Sequence, residues 1–129
     1  MDKPTGVIGV GLDFVEVHRI AEIIERQGEL FLRRVFTDTE RKYCCDKRNP
    51  APFYAARFAA KEAVSKAFGT GIGADIGLLD IEVDHLESGA PIVRLLGRGA
   101  ELAQKRGVVQ VLISLTHTDL MAGASVVLQ

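Results

Sequence analysis

Cysteine, long apolar runs and an excess of charge of one sign are all scarce in this chain of 129 residues. Its two cysteines, Cys44 and Cys45, are adjacent and show neither a C-x-x-C nor a paired Cys/His spacing, which predicts reduced thiols without a disulfide framework. No apolar run approaches the roughly 18 residues that span a bilayer. The formal net charge of −1 argues against a broad nucleic-acid-binding surface.

The N-terminal segment MDKPTGVIGVG lacks the order of basic, apolar and small residues that marks a signal peptide. A cytoplasmic protein that does not enter a membrane is therefore the default expectation. The length predicts one domain over residues 1–129, and the hydrophobic fraction of 47% supplies a core without disulfides or structural metal. Repeats, linkers and low-complexity segments are absent from the sequence.

The order of predicted elements indicates an α+β domain, with a mostly antiparallel sheet packed against a long central helix and several short helices. Thr37 and Glu40 form a capping box that opens one short helix, and Asn49-Pro50 marks the start of the long helix that ends near Phe68. The other predicted helices are 16–27, 31–36 and 97–106, and the predicted strands are 7–12, 81–83, 91–95, 109–115 and 122–128.

The long helix carries the most informative stretch, RFAAKEAVSKAFGTGIG at residues 57–73. At about 100° per residue, Phe58, Glu62 and Lys66 share one side, and the alanines lie opposite. The Glu62–Lys66 spacing is that of an ordinary surface ion pair. Two neighbours favour a functional interpretation: Phe58 on a polar face, and a glycine loop at 69–73 whose backbone amides suit phosphate oxygens. Arg57 adds positive charge along one border of this face.

Asp13 is the second candidate, because it follows an apolar strand in GLDFVEVHRI. An aspartate there is commonly a helix cap or a turn residue. Alternatively, it is a carboxylate at a strand end that pairs with another carboxylate on a packed helix. Two such groups suit Mg²⁺, which binds one or two carboxylates together with substrate phosphates.

Five segments carry a resemblance to a known family: GVGLDFVEVHRI at 9–20, FTDTE at 36–40, RFAAKEAVSKAFGTGIG at 57–73, DIEV at 80–83 and SLTHT at 114–118. Together they resemble the holo-[acyl-carrier-protein] synthases, the small bacterial type of 4′-phosphopantetheinyl transferase, over essentially the whole chain. The resemblance implies transfer of phosphopantetheine from coenzyme A to a serine of an apo carrier protein in fatty acid biosynthesis, with adenosine 3′,5′-bisphosphate released.

The resemblance also implies roles for particular residues. Asp13 and Glu62 would hold Mg²⁺ against the coenzyme A diphosphate, and Lys66 would stabilise its β-phosphate. Glu62 or a metal-bound water would accept the serine proton. The nucleotide end would contact Arg57, Phe58, Lys66, Gly69, Thr70, Gly71, Ser114, His117 and Thr118. One departure is Ala90, which precedes Pro91 where the family commonly has a lysine or arginine.

An acidic carrier protein is the implied partner, and Arg19 and Arg26 on the first helix are its implied docking residues. Because Glu22 and Glu25 lie among them, an ordinary mixed, solvated face is the alternative. The resemblance further implies a homotrimer with each site between two subunits.

Three other functions fit fewer residues. A non-catalytic module that docks acidic helical partners would use the same arginines without metal or coenzyme A. A zinc or cysteine enzyme has little support, because the histidines and cysteines lack ligand spacing. A nucleophilic pair of Ser114 and His117 lacks an orienting acid.

Overall fold

The computed structural model describes residues 6–129. The prediction that the N-terminus is not a signal peptide falls partly on residues 1–5, which lie outside the described residues. The helices are α1 (Val17–Gln27), α2 (Glu29–Val35), α3 (Asp38–Cys45), α4 (Ala51–Phe68) and α5 (Gly97–Arg106). The strands are β1 (Gly9–Glu16), β2 (Ile81–His85), β3 (Pro91–Leu95), β4 (Val111–His117) and β5 (Met121–Leu128), with a short 3-10 turn at Leu78–Asp80.

Two antiparallel sheets pack around the central helix, so the predicted α+β class is confirmed. The larger sheet has the order β1-β5-β4, and β2 pairs with β3 in a separate hairpin. α4 lies against the inner face of the larger sheet, where its alanines are buried with Val126 and Leu128 of β5. Small side chains on α4 allow this close packing. Within residues 6–129, no helix is long and apolar enough to cross a bilayer.

The contact between β1 and α4 depends on two glycines. A Cβ atom on Gly9 would overlap the carbonyl oxygen of Ala67, and one on Gly11 would overlap that of Ala63. β1 therefore lies directly on the helix backbone, closer than any side chain would permit. The next inward-facing residue along the strand is Asp13, which this contact brings to the surface of α4.

The opposite face of β1 is apolar and exposed. Val10, Leu12 and Phe14 keep 67%, 55% and 60% of their surface accessible, and Leu112 of β4 and Met121 of β5 add to the patch. The prediction of a buried first strand was wrong about these side chains. Successive residues of the strand point to opposite faces of the sheet. Its glycines face the core, and its large apolar residues face outward.

Most predicted boundaries agree with the structure to within a few residues. The Thr37–Glu40 capping box is present, and α4 begins one residue after Pro50. The first strand is the main error, because it runs four residues beyond the predicted Leu12. Asp13 consequently lies inside β1, paired in register with Ala124 of β5, and not at a strand end.

The charged border predicted on α4 is buried instead. Arg57 is 2% exposed and Lys61 is fully buried. The Lys61 ammonium lies 2.8 Å from a carboxylate oxygen of Glu40 and donates to the carbonyls of Leu78 and Ile81. The other Glu40 oxygen accepts from the backbone N–H of Val83 at 2.8 Å. This buried pair joins α3, α4 and the start of β2.

Candidate active site

Asp13, Glu62 and Lys66 meet where β1 crosses α4. The Lys66 ammonium lies 2.7 Å from Asp13 Oδ1 and 3.3 Å from the carbonyl oxygen of Leu12. In the described residues, Lys66 therefore pairs with Asp13 and not with Glu62, one turn away on its own helix. The site remains open to solvent, since Lys66 keeps 51% of its side chain exposed and Asp13 keeps 18%.

The electrostatics of this cluster favour a cation. Burial raises the pKa of Glu62, the nearby Asp13 carboxylate raises it further, and Lys66 partly opposes the shift. The hydrogen bond to Asp13 raises the pKa of Lys66. The Glu62 carboxylate, whose charge is disfavoured by the neighbouring Asp13, lies with Asp13 beside an open face, and two carboxylates fit a divalent cation that takes its remaining ligands from water or phosphate. Residues 6–129 contain no cluster of three or more histidine, cysteine, aspartate or glutamate side chains that could hold a metal ion.

The glycine loop does not present its amides as predicted. The N–H groups of Gly69, Thr70 and Gly71 donate to the last carbonyls of α4, those of Lys66 and Ser65. Gly69 has a positive φ of 79° and terminates the helix. The loop is thus a helix C-cap, because the final carbonyls of a helix need partners and glycine readily adopts this conformation. The expectation that the amides of Gly69, Thr70 and Gly71 are free for phosphate oxygens was wrong, whereas contact of these residues with coenzyme A stays a prediction.

Arg57 and His117 line a second region, a cavity of about 190 Å³. Arg57 donates to the carbonyl oxygen of Phe53 at 3.1 Å, and its guanidinium lies 4.2 Å from the centre of the Tyr43 ring. His117 packs edge-on against Phe53, at 4.8 Å between ring centres. The cavity therefore combines a buried cation with aromatic surfaces, a combination that suits a nucleotide.

The remaining predicted nucleotide contacts are dispersed. Ser114 is exposed on the outer face of the larger sheet, opposite the face that carries Asp13. The Thr118 hydroxyl accepts hydrogen bonds from the N–H groups of Leu120 and Met121, so it belongs to the β4–β5 turn. Phe58 is half-buried against the core around α1 and α2, and is not an uncovered ring.

The predicted docking residues Arg19 and Arg26 are both exposed on α1. The ion pairs within residues 6–129 involve neither guanidinium, although Glu22 and Glu25 are close in sequence. Of the two cysteines, Cys44 is buried with its pKa raised by that burial to about 12, which is far from a reactive thiolate. Neither thiol forms a disulfide in this structure, as predicted.

Sequence reasoning did not select Tyr43 or His85, which both line the Arg57 cavity. Their rings stack at 4.3 Å, and His85 Nε2 lies 3.1 Å from Arg57 Nη2. These residues belong to α3 and β2, and no spacing in the chain relates them to Arg57. Only the tertiary contact reveals this group.

The chain belongs to the 4′-phosphopantetheinyl transferase superfamily, whose sequence model matches residues 9–122. A holo-[acyl-carrier-protein] synthase of Syntrophus aciditrophicus is 43% identical over 123 residues, covering 95% of this chain and 96% of that protein. The corresponding protein of Chlamydia pneumoniae is 39% identical over 121 residues, covering 94% of this chain and 96% of the relative.

Solved structures lead to the same class. The holo-[acyl-carrier-protein] synthase of Helicobacter pylori in complex with coenzyme A superposes with a TM-score of 0.84 at 32% identity, over 93% of this chain and 99% of that one. The synthase of Neisseria meningitidis gives a TM-score of 0.89 at 29% identity, over 96% and 99%. The resemblance found in the sequence is confirmed, and the chain is an enzyme of the phosphopantetheinyl transferase class.

Proposed function

We propose that this enzyme is a holo-[acyl-carrier-protein] synthase: it transfers 4′-phosphopantetheine from coenzyme A to a serine of an apo carrier protein. The carrier protein becomes holo, and adenosine 3′,5′-bisphosphate is released. The names of its relatives support the reaction, and the H. pylori synthase structure contains coenzyme A. The absence of a membrane-crossing helix in residues 6–129 is compatible with action in the cytoplasm, the compartment we propose.

The observation that carries the proposal is the meeting of Asp13, Glu62 and Lys66. Phosphoryl transfer needs charge stabilisation at the phosphates and an acceptor for the proton of the attacking hydroxyl. Glu62 has a raised pKa, which moves it toward the range where a carboxylate is an effective base. Lys66 supplies a mobile positive charge beside the same surface.

The two carboxylates fit Mg²⁺, and we propose that Asp13 and Glu62 hold it. When bound, the ion supplies neutralisation of charge on the diphosphate of coenzyme A. In the free protein, the Lys66 ammonium contacts Asp13 and compensates its charge. We expect Lys66 to leave Asp13 for a phosphate oxygen once metal and coenzyme A are bound, and Glu62 or a metal-bound water to accept the proton of the serine hydroxyl.

Arg57 and His117 would bind the nucleotide end in the separate cavity. At 100° per residue, Arg57 points roughly 140° away from Glu62 around α4. The two side chains of one subunit therefore lie on different sides of the helix. A site formed between two subunits, with Glu62 from one and Arg57 from the other, accommodates this divergence. The contributions of Phe58, Gly69, Thr70, Gly71, Ser114 and Thr118 remain predictions from the family.

A homotrimer is the assembly we propose, with the exposed face of the larger sheet at its centre. Val10, Leu12 and Phe14 would be unusual as a lasting water-exposed patch, and an interface between copies would bury them. Sedimentation analysis of Phe14→Lys tests this: we expect trimeric wild-type protein and a smaller species for the variant. A wild-type monomer would contradict the assembly without affecting the proposed chemistry.

The acidic carrier protein would dock on α1 through Arg19 and Arg26, which are exposed and have no ion-pair partner within residues 6–129. The alternative of a non-catalytic binding module uses the same face. Calorimetry separates the two proposals, because Mg²⁺-dependent binding of coenzyme A is expected only for the transferase.

The direct test incubates the purified protein with Mg²⁺, coenzyme A and a panel of apo carrier proteins. Mass spectrometry is expected to detect the added phosphopantetheine on at least one carrier, and chelation of the metal should stop the reaction. No mass change with any of the carriers would overturn the proposal.

A further inference from the structure

We infer that His85 is a positioning residue for Arg57: its imidazole accepts a hydrogen bond from the guanidinium and orients the remaining N–H donors for the nucleotide end of coenzyme A. The inference rests on the proposed function, in which Arg57 binds that nucleotide. It adds a residue from the β2–β3 hairpin, which no sequence motif connects with the site.

Because Arg57 is buried, its guanidinium needs hydrogen-bond partners. The side chain is 2% exposed, and its Nε–H has no hydrogen-bond partner within residues 6–129. A buried guanidinium with an unused donor is costly unless a ligand completes its hydrogen bonds. Arg57 also lines the cavity of about 190 Å³, so an anion in that cavity would compensate the charge of the buried guanidinium.

Two protein acceptors hold the guanidinium. One is the Phe53 carbonyl, 3.1 Å from Nη1, which is a contact along α4 itself. The other is His85, whose Nε2 lies 3.1 Å from Nη2 and comes from a different element. Of the two, only the second fixes the guanidinium relative to the β2–β3 hairpin, and its removal would leave the guanidinium with the contact to its own helix and the packing on the Tyr43 ring.

The chemistry of the contact defines the state of His85. Arginine only donates hydrogen bonds, so the ring nitrogen that accepts from it must carry a lone pair and the imidazole is neutral. Arg57 Nη2 lies 3.1 Å from Nε2 and 3.5 Å from Nδ1, so Nε2 is the nearer acceptor. Burial and the positive charge of Arg57 both lower the pKa of His85, which favours the same form. Stacking on Tyr43 at 4.3 Å, with planes 19° apart, keeps the imidazole in position.

The charged groups around this imidazole come from several elements. Arg57 of α4 and Lys47 after α3 disfavour its protonation, and Asp84 on its own strand favours it. Arg94 of β3 holds Asp84 through a 2.6 Å contact. His117 of β4 lines the same cavity and is itself titratable. A pH experiment must therefore compare variants that all retain His117.

The experiment measures the dissociation constant of adenosine 3′,5′-bisphosphate by calorimetry, and KM and kcat in the transfer assay. His85→Phe keeps a ring for stacking on Tyr43 and removes the acceptor, whereas His85→Gln retains an acceptor at a similar distance. We expect His85→Phe to weaken nucleotide binding about tenfold, equivalent to about 1.4 kcal/mol. KM for coenzyme A should rise in parallel, kcat should stay within about twofold, and His85→Gln should bind within about threefold of wild type.

Controls separate positioning from general damage. His18→Phe makes the same exchange at an exposed histidine of α1 and should leave nucleotide binding unchanged. Arg57→Met should lose most nucleotide affinity. In wild type, affinity should fall as the pH drops below the usual histidine range, because a protonated imidazole cannot accept from Arg57. His85→Gln should lack that part of the pH dependence.

The outcomes also distinguish this inference from the proposed function. If Arg57→Met loses nucleotide binding and His85→Phe binds normally, His85 does not position Arg57. If both variants bind nucleotide normally while wild-type transfer proceeds, the cavity is not the nucleotide site and the inference fails. Absence of transfer by the wild type with any carrier overturns the function itself.

Discussion

Two lysines of α4, little more than one helical turn apart, each pair with a carboxylate from another element. The two pairs have the same charged groups and differ in burial. Lys61 and Glu40 are fully buried, and their side chains also form hydrogen bonds with backbone groups of the 3-10 turn and of β2. Lys66 and Asp13 meet at a similar distance, 2.7 Å, at an open surface. Burial decides the role of each pair.

The buried pair has no freedom to exchange partners. Burial lowers the pKa of Lys61, and the Glu40 carboxylate opposes that shift, so each charge depends on the other. The open pair is solvated, and water can replace either partner during an exchange. Lys66, which we propose leaves its carboxylate for a phosphate, is the lysine at the open position. The buried lysine holds α3, α4 and β2 in place around it.

The largest expected effect concerns Glu62, which lies between the two lysines. Glu62→Gln removes the carboxylate that we propose as proton acceptor and metal ligand, and we expect kcat/KM to fall by roughly 10²–10⁴-fold. Steady-state assays with the best carrier measure it. Glu101→Gln, at an exposed position on α5, is the matched control and should retain wild-type activity. Activity of Glu62→Gln within about threefold of wild type would remove Glu62 from the mechanism.

The next largest effect tests the buried pair. Lys61→Met leaves the Glu40 carboxylate buried without its counter-ion, and we expect a loss of about 3–5 kcal/mol in the free energy of unfolding. Lys66→Met, the same exchange at the open position, should leave the unfolding midpoint near that of wild type. Denaturant titration of both variants gives the answer. Equal destabilisation would mean that burial does not separate the two pairs.

A smaller effect is expected on cation binding without coenzyme A. The Lys66 ammonium and a divalent cation compete for Asp13, so Lys66→Met should bind Mg²⁺ several-fold more tightly than wild type, although its transfer activity is lower. Calorimetry with Mg²⁺ alone measures this, and Asp13→Asn should bind less tightly than either protein. Weaker Mg²⁺ binding by Lys66→Met would contradict competition at Asp13.

The smallest effect is a pH dependence of stability. The pKa of Glu62 is raised above its ordinary value of 4.5. Between that value and the raised pKa, the folded protein binds more protons than the unfolded chain, so this group lowers stability as the pH rises. Without metal, Glu62→Gln should therefore unfold at a slightly higher temperature than wild type at pH 7. The difference should vanish below pH 4.5, and thermal unfolding at several pH values measures it.

Local signals account for the parts of the fold that the sequence predicted well. The Thr37–Glu40 capping box and the Pro50 start of α4 depend on residues that are neighbours in the chain. The terminal hairpin is similar, because its two strands are rich in valine and leucine and joined by a short turn. The meeting of Asp13, Glu62 and Lys66 was predicted from the family resemblance, and the structure brings these three residues together.

Errors arose where distant partners decide the outcome. Arg57 was predicted on a charged border, yet a histidine and a tyrosine from other elements bury it. The first strand was predicted as buried because its apolar residues were taken as core, whereas its glycines face the helix. The glycine loop could have been predicted correctly, since a glycine directly after a helix is a common C-cap signal.

The two inward-facing glycines of β1 have a consequence for the cation that the proposed site would bind. Gly9 and Gly11 contact the backbone of α4 directly, with no Cβ atom between the strand and the helix. This contact sets how close the Asp13 and Glu62 carboxylates lie to each other. Mg²⁺ requires oxygen ligands at about 2.0–2.1 Å, and Ca²⁺ accepts about 2.3–2.6 Å. A Cβ atom at Gly11 would overlap the carbonyl oxygen of Ala63, so the strand or the helix would have to shift. In the proposed Mg²⁺ site, such a shift would change the separation of the two carboxylates and with it the cation radius that the site would accept.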